Sequence, residues 1–171
     1  MRFWCQDESR FGLKTYPGRW ITNKGVKPIS PNQWKREAYW LYGAVEPLTG
    51  ESFYMEFTHV DTDCFRSFLE LFSKSYPDEH HIIQIDNAAF HTSKKLILPD
   101  NISLLAQPPH SPETNPIERV WAWFKSQLKH LNFATLQELK NYMASIIQNT
   151  LPDRIQTLTL WPHILEAVKH L

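Results

Sequence analysis

Three carboxylates stand where chains tend to gather chemistry: Asp7 after a short apolar run, Asp86 after a second one, and Glu118 at the opening of an amphipathic segment. Residues at strand ends in an open sheet line a shared crevice, so positions far apart in sequence can meet there. Carboxylates brought together repel one another unless a cation sits among them, and hard oxygen donors without cysteine suit Mg²⁺ or Mn²⁺. Two such ions, about 3.5–4 Å apart, would activate an attacking oxygen and stabilise the leaving oxygen of an in-line phosphodiester displacement. The same residues admit plainer readings. Glu118 lies three residues after Asn115 and could satisfy backbone amides at a helix start. Asp7 and Asp86 could simply terminate strands, and Glu8 could replace Asp7, because alternation alone does not say which of two neighbours points inward. Beyond Asp86, Asn87 and His91 could hydrogen-bond a metal-bound water or a phosphate, or could be satisfied loop residues.

A second group lies between Lys14 and Arg36, where Lys14, Arg19, Lys24, Lys27, Lys35 and Arg36 are interleaved with Tyr16, Trp20 and Trp34. Cations beside large aromatics have the composition of a surface that contacts phosphates and stacks bases; a solvated loop is the alternative. Trp121, Trp123 and Phe124 share their segment with Ile117, Val120 and Leu128 and are expected in the core rather than against nucleic acid.

The elements that must position these residues follow from periodicity. Phe3 to Gln6 predicts a strand that delivers Asp7 at its C-terminal end. Turn chemistry at Pro17-Gly18, Asn23-Lys24-Gly25 and Lys27-Pro28 makes residues 14–37 a long basic loop, with a hairpin around Gly25. Ala38 to Val45 and Ser52 to Phe57, separated by Pro47-Leu48-Thr49-Gly50, predict an antiparallel pair. Asp61 to Asp63 caps a helix whose Phe65, Phe68, Leu69 and Phe72 share one face until Tyr76-Pro77. His81 to Ile85 and Ile102 to Leu105 predict two buried strands, with a short helix from Ser93 between them. Helices follow from Asn115 to about Lys129 and, after the T-x-x-E box at Thr135, to about Gln148, with a last short helix in the apolar cluster of residues 158–168. The expectation is an α/β protein with a mixed five-stranded sheet flanked by helices, in the element order of the ribonuclease H-like fold.

Three blocks carry a family resemblance: QDESRFGL from Gln6, IDNAAFHTS from Ile85 and QPPHSPETNPIERVWAWFK from Gln107. They resemble the signature blocks of DDE transposases of the mariner-like superfamily, in the bacterial insertion-sequence branch, and they follow one another in the right order. The resemblance implies that Asp7, Asp86 and Glu118 are the catalytic metal ligands, with two Mg²⁺ or Mn²⁺ ions. It also implies cleavage at the ends of a mobile element followed by strand transfer. Asp86 and Glu118 stand 32 positions apart, slightly closer than is usual in that superfamily. The basic loop corresponds in position to the one that, in that family, reaches towards a partner subunit and DNA. The partners implied are element-end and target DNA and a second copy of the chain. Met1 lies six residues before Asp7, too few for the recognition domain such enzymes carry, so the chain is expected to be a catalytic fragment of a longer enzyme, a reading frame partnered by a separately encoded N-terminal DNA-binding half, or a truncated remnant.

Composition bounds the rest. At 171 residues, with 42% apolar residues and 12 Pro against 5 Gly, the chain is expected to form one globular catalytic domain over residues 1–171. Its opening is too polar for a secretory signal, and no run approaches the roughly 18 apolar residues of a membrane span. Two distant cysteines, Cys5 and Cys64, suit a reducing cytoplasm; the resemblance implies a bacterial one, with the nucleoid as the place of work. Equal numbers of basic and acidic residues, 18 each, conceal an uneven distribution: residues 1–40 are net positive and residues 41–90 net negative. Beside the transposase reading stand a truncated derivative that binds DNA without cutting it and a stand-alone nuclease of the same fold.

Overall fold

The computed structural model describes residues 1–29, 31–88, 96–108 and 114–168. Its strands are β1 (Arg2–Gly12), β2 (Ala38–Val45), β3 (Ser52–Phe57), β4 (His81–Ile85) and β5 (Ile102–Ala106). Its helices are α1 (Thr62–Ser75), α2 (Ile117–Gln127), α3 (Leu136–Asn149), α4 (Pro152–Thr159) and α5 (Pro162–Val168). The strands form one sheet in the order β3-β2-β1-β4-β5, antiparallel across β3-β2-β1 and parallel across β1-β4-β5.

Alternation along β1 builds two cores. Phe3, Cys5 and Phe11 join Tyr39 and Leu41 of β2 on one face, where Ile117, Val120, Trp121 and Phe124 of α2 cover them together with Leu139 and Met143 of α3. Trp4 joins Tyr42 and Ala44 on the other face, under Phe65, Phe68, Leu69 and Phe72 of α1. The α1 stripe recurs at three- and four-residue intervals, as a helix seated on a sheet requires. Asp61 caps it by accepting from the Cys64 amide at 2.7 Å. At its far end His81 is buried: the Trp4 indole donates to its Nδ1 at 3.1 Å, and its Nε2 lies 2.9 Å from the Tyr76 carbonyl. With Nδ1 accepting, the ring is the neutral tautomer that carries its proton on Nε2.

The β2–β3 pair spans the expected residues, and its turn needs Gly50. That residue has φ +74°, and a Cβ there would lie 1.9 Å from the Pro152 carbonyl oxygen at the start of α4. Arg2 bridges Glu46 and Glu51 across the same corner. The Thr135 box forms: its hydroxyl accepts from the Glu138 amide at 3.2 Å, while Glu138 accepts from the Ala134 amide at 2.8 Å.

Four expectations need correction. Strand β1 continues to Gly12, so Asp7 lies inside it rather than at its end, because β2 pairs with β1 as far as Gly12. Strand β5 is not buried; as the sheet edge it leaves Leu105 50% exposed. Glu118 belongs to no capping box: α2 follows Pro116 without a side-chain cap, and Asn115 accepts from the Ile117 amide at 3.4 Å while donating to the Gln6 carbonyl. The last helix is two short ones, separated at Leu160-Trp161 ahead of Pro162. The helix expected from Ser93 lies outside the described residues, apart from its final stretch, which holds no helix.

Candidate active site

Unequal pairing of β1 on its two sides opens the site. On the β4 side the parallel ladder ends at Cys5↔Gln84, whereas the β2 side continues to Gly12. Beyond Cys5 the strand has a single neighbour, and a notch forms past the carboxyl end of β4. Such a point, where parallel and antiparallel neighbours meet on one strand, is where open sheets place their ligands. Asp7 is two residues beyond the last rung on β1, and Asp86 is two residues beyond it on β4. Continuing the register sets both on the face shared by Cys5 and Gln84, which is the α2 face.

The start of α2 is pinned over this notch by buried polar groups. Asn115, 2% exposed, donates from Nδ2 to the Gln6 carbonyl at 2.9 Å. Gln84 donates to the Thr114 carbonyl at 3.2 Å and faces the Gln107 Oε1 at 3.3 Å. The first turn of α2, which carries Glu118, is thereby tied to both strands that carry the aspartates. Glu118 itself is exposed. Trp121, one turn further on, is 1% exposed and donates its indole N–H to Asp7 Oδ2 at 2.8 Å. It crosses β2 at Gly43, the register partner of Asp7, where a Cβ would stand 2.6 Å from its ring.

Burial pushes the Asp7 carboxyl up to about 8, and the charges of Glu8 and then Glu118 add to the rise, against hydrogen bonds from the Glu8 backbone and Trp121. The effect of Glu118 places it within electrostatic reach of Asp7. Glu8 points to the opposite face, where it accepts from Gln6 Nε2 at 2.7 Å. Asp86 follows β4 and accepts from the Ala88 amide at 2.9 Å, closing a turn. Asn87 donates to the Gln107 carbonyl at 2.6 Å, a tie between loops. His91 lies outside the described residues.

The register thus sets Asp7 and Asp86 on one face, and Glu118 acts electrostatically on Asp7 from the first turn of α2. They are not drawn tight: among the described residues, the one set of three His, Cys, Asp or Glu ligand atoms lying mutually within 4.8 Å is His59, Asp61 and Cys64. The donor chemistry fits a hard divalent cation. Asp7 is buried beside like charge, and an all-oxygen set suits Mg²⁺ or Mn²⁺.

The basic loop is exposed at Lys14, Arg19, Trp20, Lys24, Lys27, Lys35 and Arg36. Its root is held by the connection between α2 and α3: Gln33 Nε2 donates to the Phe133 carbonyl at 2.9 Å, Lys35 Nζ to the Ala134 carbonyl at 2.6 Å, and the Trp20 and His130 rings stand 4.1 Å apart. Lys14 lies 4.6 Å over the Trp34 ring. A cleft of about 220 Å³ at the root is lined by Arg10, Lys14, Lys35 and Arg36 together with Trp34 and Glu37. Sequence reasoning missed Arg10, Asn115, Gln84 and the polar end of Trp121. Arg10 was legible only through β1 continuing past Asp7, and the other three only through tertiary contacts.

Comparison with known proteins agrees with this geometry. A family model described as DDE superfamily endonuclease matches residues 2–140. The uncharacterized protein y4pE/y4sA of Sinorhizobium fredii is 36% identical over 87 residues, which cover 50% of this chain and 64% of that protein. The Mos1 transposase paired-end complex with left transposon end superimposes with TM-score 0.73 at 15% identity, over 92% of this chain and 51% of that one. The Mos1 mariner paired-end complex with Mn gives 0.74 at 14%, with 92% and 51% covered. At these identities the likeness is one of fold, the ribonuclease H-like fold, and the chain spans about half the length of the transposase chains it matches. No helix among the described residues is long and apolar enough to cross a membrane. The matched residues hold all three carboxylates, the sheet and the helix that covers it, and on that match the chain belongs to the DDE superfamily endonucleases.

Proposed function

We propose that this chain is the catalytic domain of an insertion-element transposase, which cuts DNA at the element ends and joins the freed 3′-hydroxyl to target DNA. The observation that carries the reading is Asp7, a buried carboxyl held by Trp121 on the face and in the row of Asp86, with Glu118 within electrostatic reach. Asp7, Asp86 and Glu118 would hold Mg²⁺ or Mn²⁺, two ions in this reading, which when bound supply charge neutralisation and an activated oxygen at the phosphodiester. The chain's own contribution is placement. Trp121 fixes the Asp7 rotamer, the turn at Ala88 fixes Asp86, and Asn115 fixes the helix start that carries Glu118. The exposed arm and the cleft of Arg10, Lys14, Lys35 and Arg36 bind the DNA backbone, while Asn87 supports the site through its tie to the Gln107 carbonyl.

In this reading the domain works as a homodimer on element ends, with a separately encoded DNA-binding half supplying recognition of those ends; the Mos1 complex it resembles is named for paired ends. Its place of action is the bacterial nucleoid. Changing Asp86 to Asn keeps size while removing charge, so cleavage of an element-end duplex in Mg²⁺ should fall at least a thousandfold with DNA affinity retained. Wild-type cleavage by that variant would overturn the assignment. An assay that scores strand joining separately from cleavage distinguishes a transposase from a nuclease of the same fold, and binding without cleavage would identify a DNA-binding derivative.

A further inference from the structure

On the far side of the sheet from the carboxylate notch, the connection from β3 to α1 brings three different ligand types together. An imidazole nitrogen of His59, a carboxylate oxygen of Asp61 and the Cys64 sulfur all lie within 4.8 Å of one another. His59 Nε2 is 2.8 Å from Asp61 Oδ2, and its other ring nitrogen lies 2.8 Å from the Thr58 hydroxyl. A partner on the second nitrogen is what orients a metal-binding histidine. Cys64, 9% exposed, is held by its place in the first turn of α1, and the second oxygen of Asp61 is fixed by the Cys64 amide at 2.7 Å. Two ligands therefore sit on rigid elements, and the third is an exposed ring able to close onto them.

A second observation points to the same spot. Tyr42 of β2 is fully buried, and the Asp61 backbone hydrogen-bonds its hydroxyl, on which the charges of Glu8, Cys64 and Asp61 also act, so this hydroxyl lies beside the cluster.

We propose that His59, Asp61 and Cys64 form a zinc-type site, independent of the carboxylate notch, with the buried Tyr42 hydroxyl beside it. Nitrogen, oxygen and sulfur donors suit Zn²⁺ and disfavour Mg²⁺, which takes oxygen alone. Bonds of about 2.0–2.3 Å set tetrahedral ligand atoms roughly 3.3–3.7 Å apart, a spacing reached from this cluster by small side-chain movements. Binding replaces the thiol proton, which passes to solvent, by the metal. Burial, the hydrogen bond to Asp61 and the neighbouring carboxylates push that thiol up to about 11, so an ion must displace a proton that free Cys64 retains at neutral pH. The ion would tie the end of β3 to the start of α1.

The test uses the full chain with Co²⁺ as a spectroscopic probe and Zn²⁺ in calorimetry, both in excess Mg²⁺. One equivalent is expected to bind with micromolar affinity or better, and Co²⁺ should give a thiolate-to-metal charge-transfer band. That band should vanish in Cys64→Ser and persist in Cys5→Ala and Asp7→Asn. His59→Ala removes an exposed ring at no cost in packing and should weaken binding at least tenfold, which keeps the test meaningful if Cys64→Ser folds poorly. Absence of the band, its survival in Cys64→Ser, unchanged affinity in His59→Ala, or loss of binding in Asp7→Asn would each overturn the site.

Discussion

Asp7 holds its proton far above the usual carboxylate range because it is buried beside Glu8 and Glu118. Folding therefore raises its pKa from the ordinary value of about 3.9 to about 8. The folded state keeps a proton that the unfolded chain releases, so this group favours folding least at high pH: its contribution is highest below about pH 4 and is lost as pH rises towards 8. In metal-free buffer, Asp7→Asn should flatten the fall in stability between pH 5 and 8, a difference on the order of a few kcal/mol at pH 8. Urea melts of both proteins at the two pH values check this, and parallel slopes would count against a buried Asp7. Trp121→Phe keeps the ring packed but removes the N–H, and with it a hydrogen bond worth about 0.5–1.5 kcal/mol. We expect cleavage to fall tenfold or more while the thermal midpoint moves little, and Mn²⁺ to restore activity better than Mg²⁺.

At the level of elements, the site depends on how firmly the first turn of α2 is tied to β1. Asn115→Ala leaves the buried Gln6 carbonyl without its donor, a loss of about 1–3 kcal/mol, and releases the turn that carries Glu118. The variant should fold, melt earlier and cut poorly; unaltered cleavage at saturating Mg²⁺ would show that Glu118 is positioned by something else. Gly43 carries a related constraint. A methyl there meets both Trp121, at 2.6 Å, and Tyr54, at 2.9 Å, so Gly43→Ala must displace the indole from Asp7 and should reproduce the Trp121→Phe defect with added loss of stability. Cleavage assays on the two variants side by side test that equivalence.

For the molecule as a whole, charge is divided between a basic arm and an acidic body although the sum is zero. The arm exposes Arg19, Lys24 and Lys27 beyond its clamped root, and the root adds Arg10, Lys14, Lys35 and Arg36. Changing Arg19, Lys24 and Lys27 together to Ala should lower DNA affinity and reduce the slope of log K against log salt by about 2–3, close to 0.9 for each phosphate no longer neutralised. This chain by itself should bind an element end and a random duplex almost equally, since phosphate contacts carry no sequence information. Titration of both duplexes at two salt concentrations checks both statements, and a strong preference for the element end would place sequence reading within the domain.

Local chemistry was enough to read the β2–β3 hairpin, the caps at Asp61 and Thr135, and the apolar faces of α1 and α2, because each depends on neighbours within a few residues. Tertiary structure alone decided which of Asp7 and Glu8 shares a face with Glu118, since alternation has no sign until α1 and α2 choose their sides of the sheet. It also decided that β1 continues past Asp7, because β2 pairs with it as far as Gly12. Contacts such as Asn115 to Gln6 and Trp121 to Asp7 join residues distant in sequence and matched by no motif. They are consequences of sheet order, which long-range pairing fixes and local pattern does not carry.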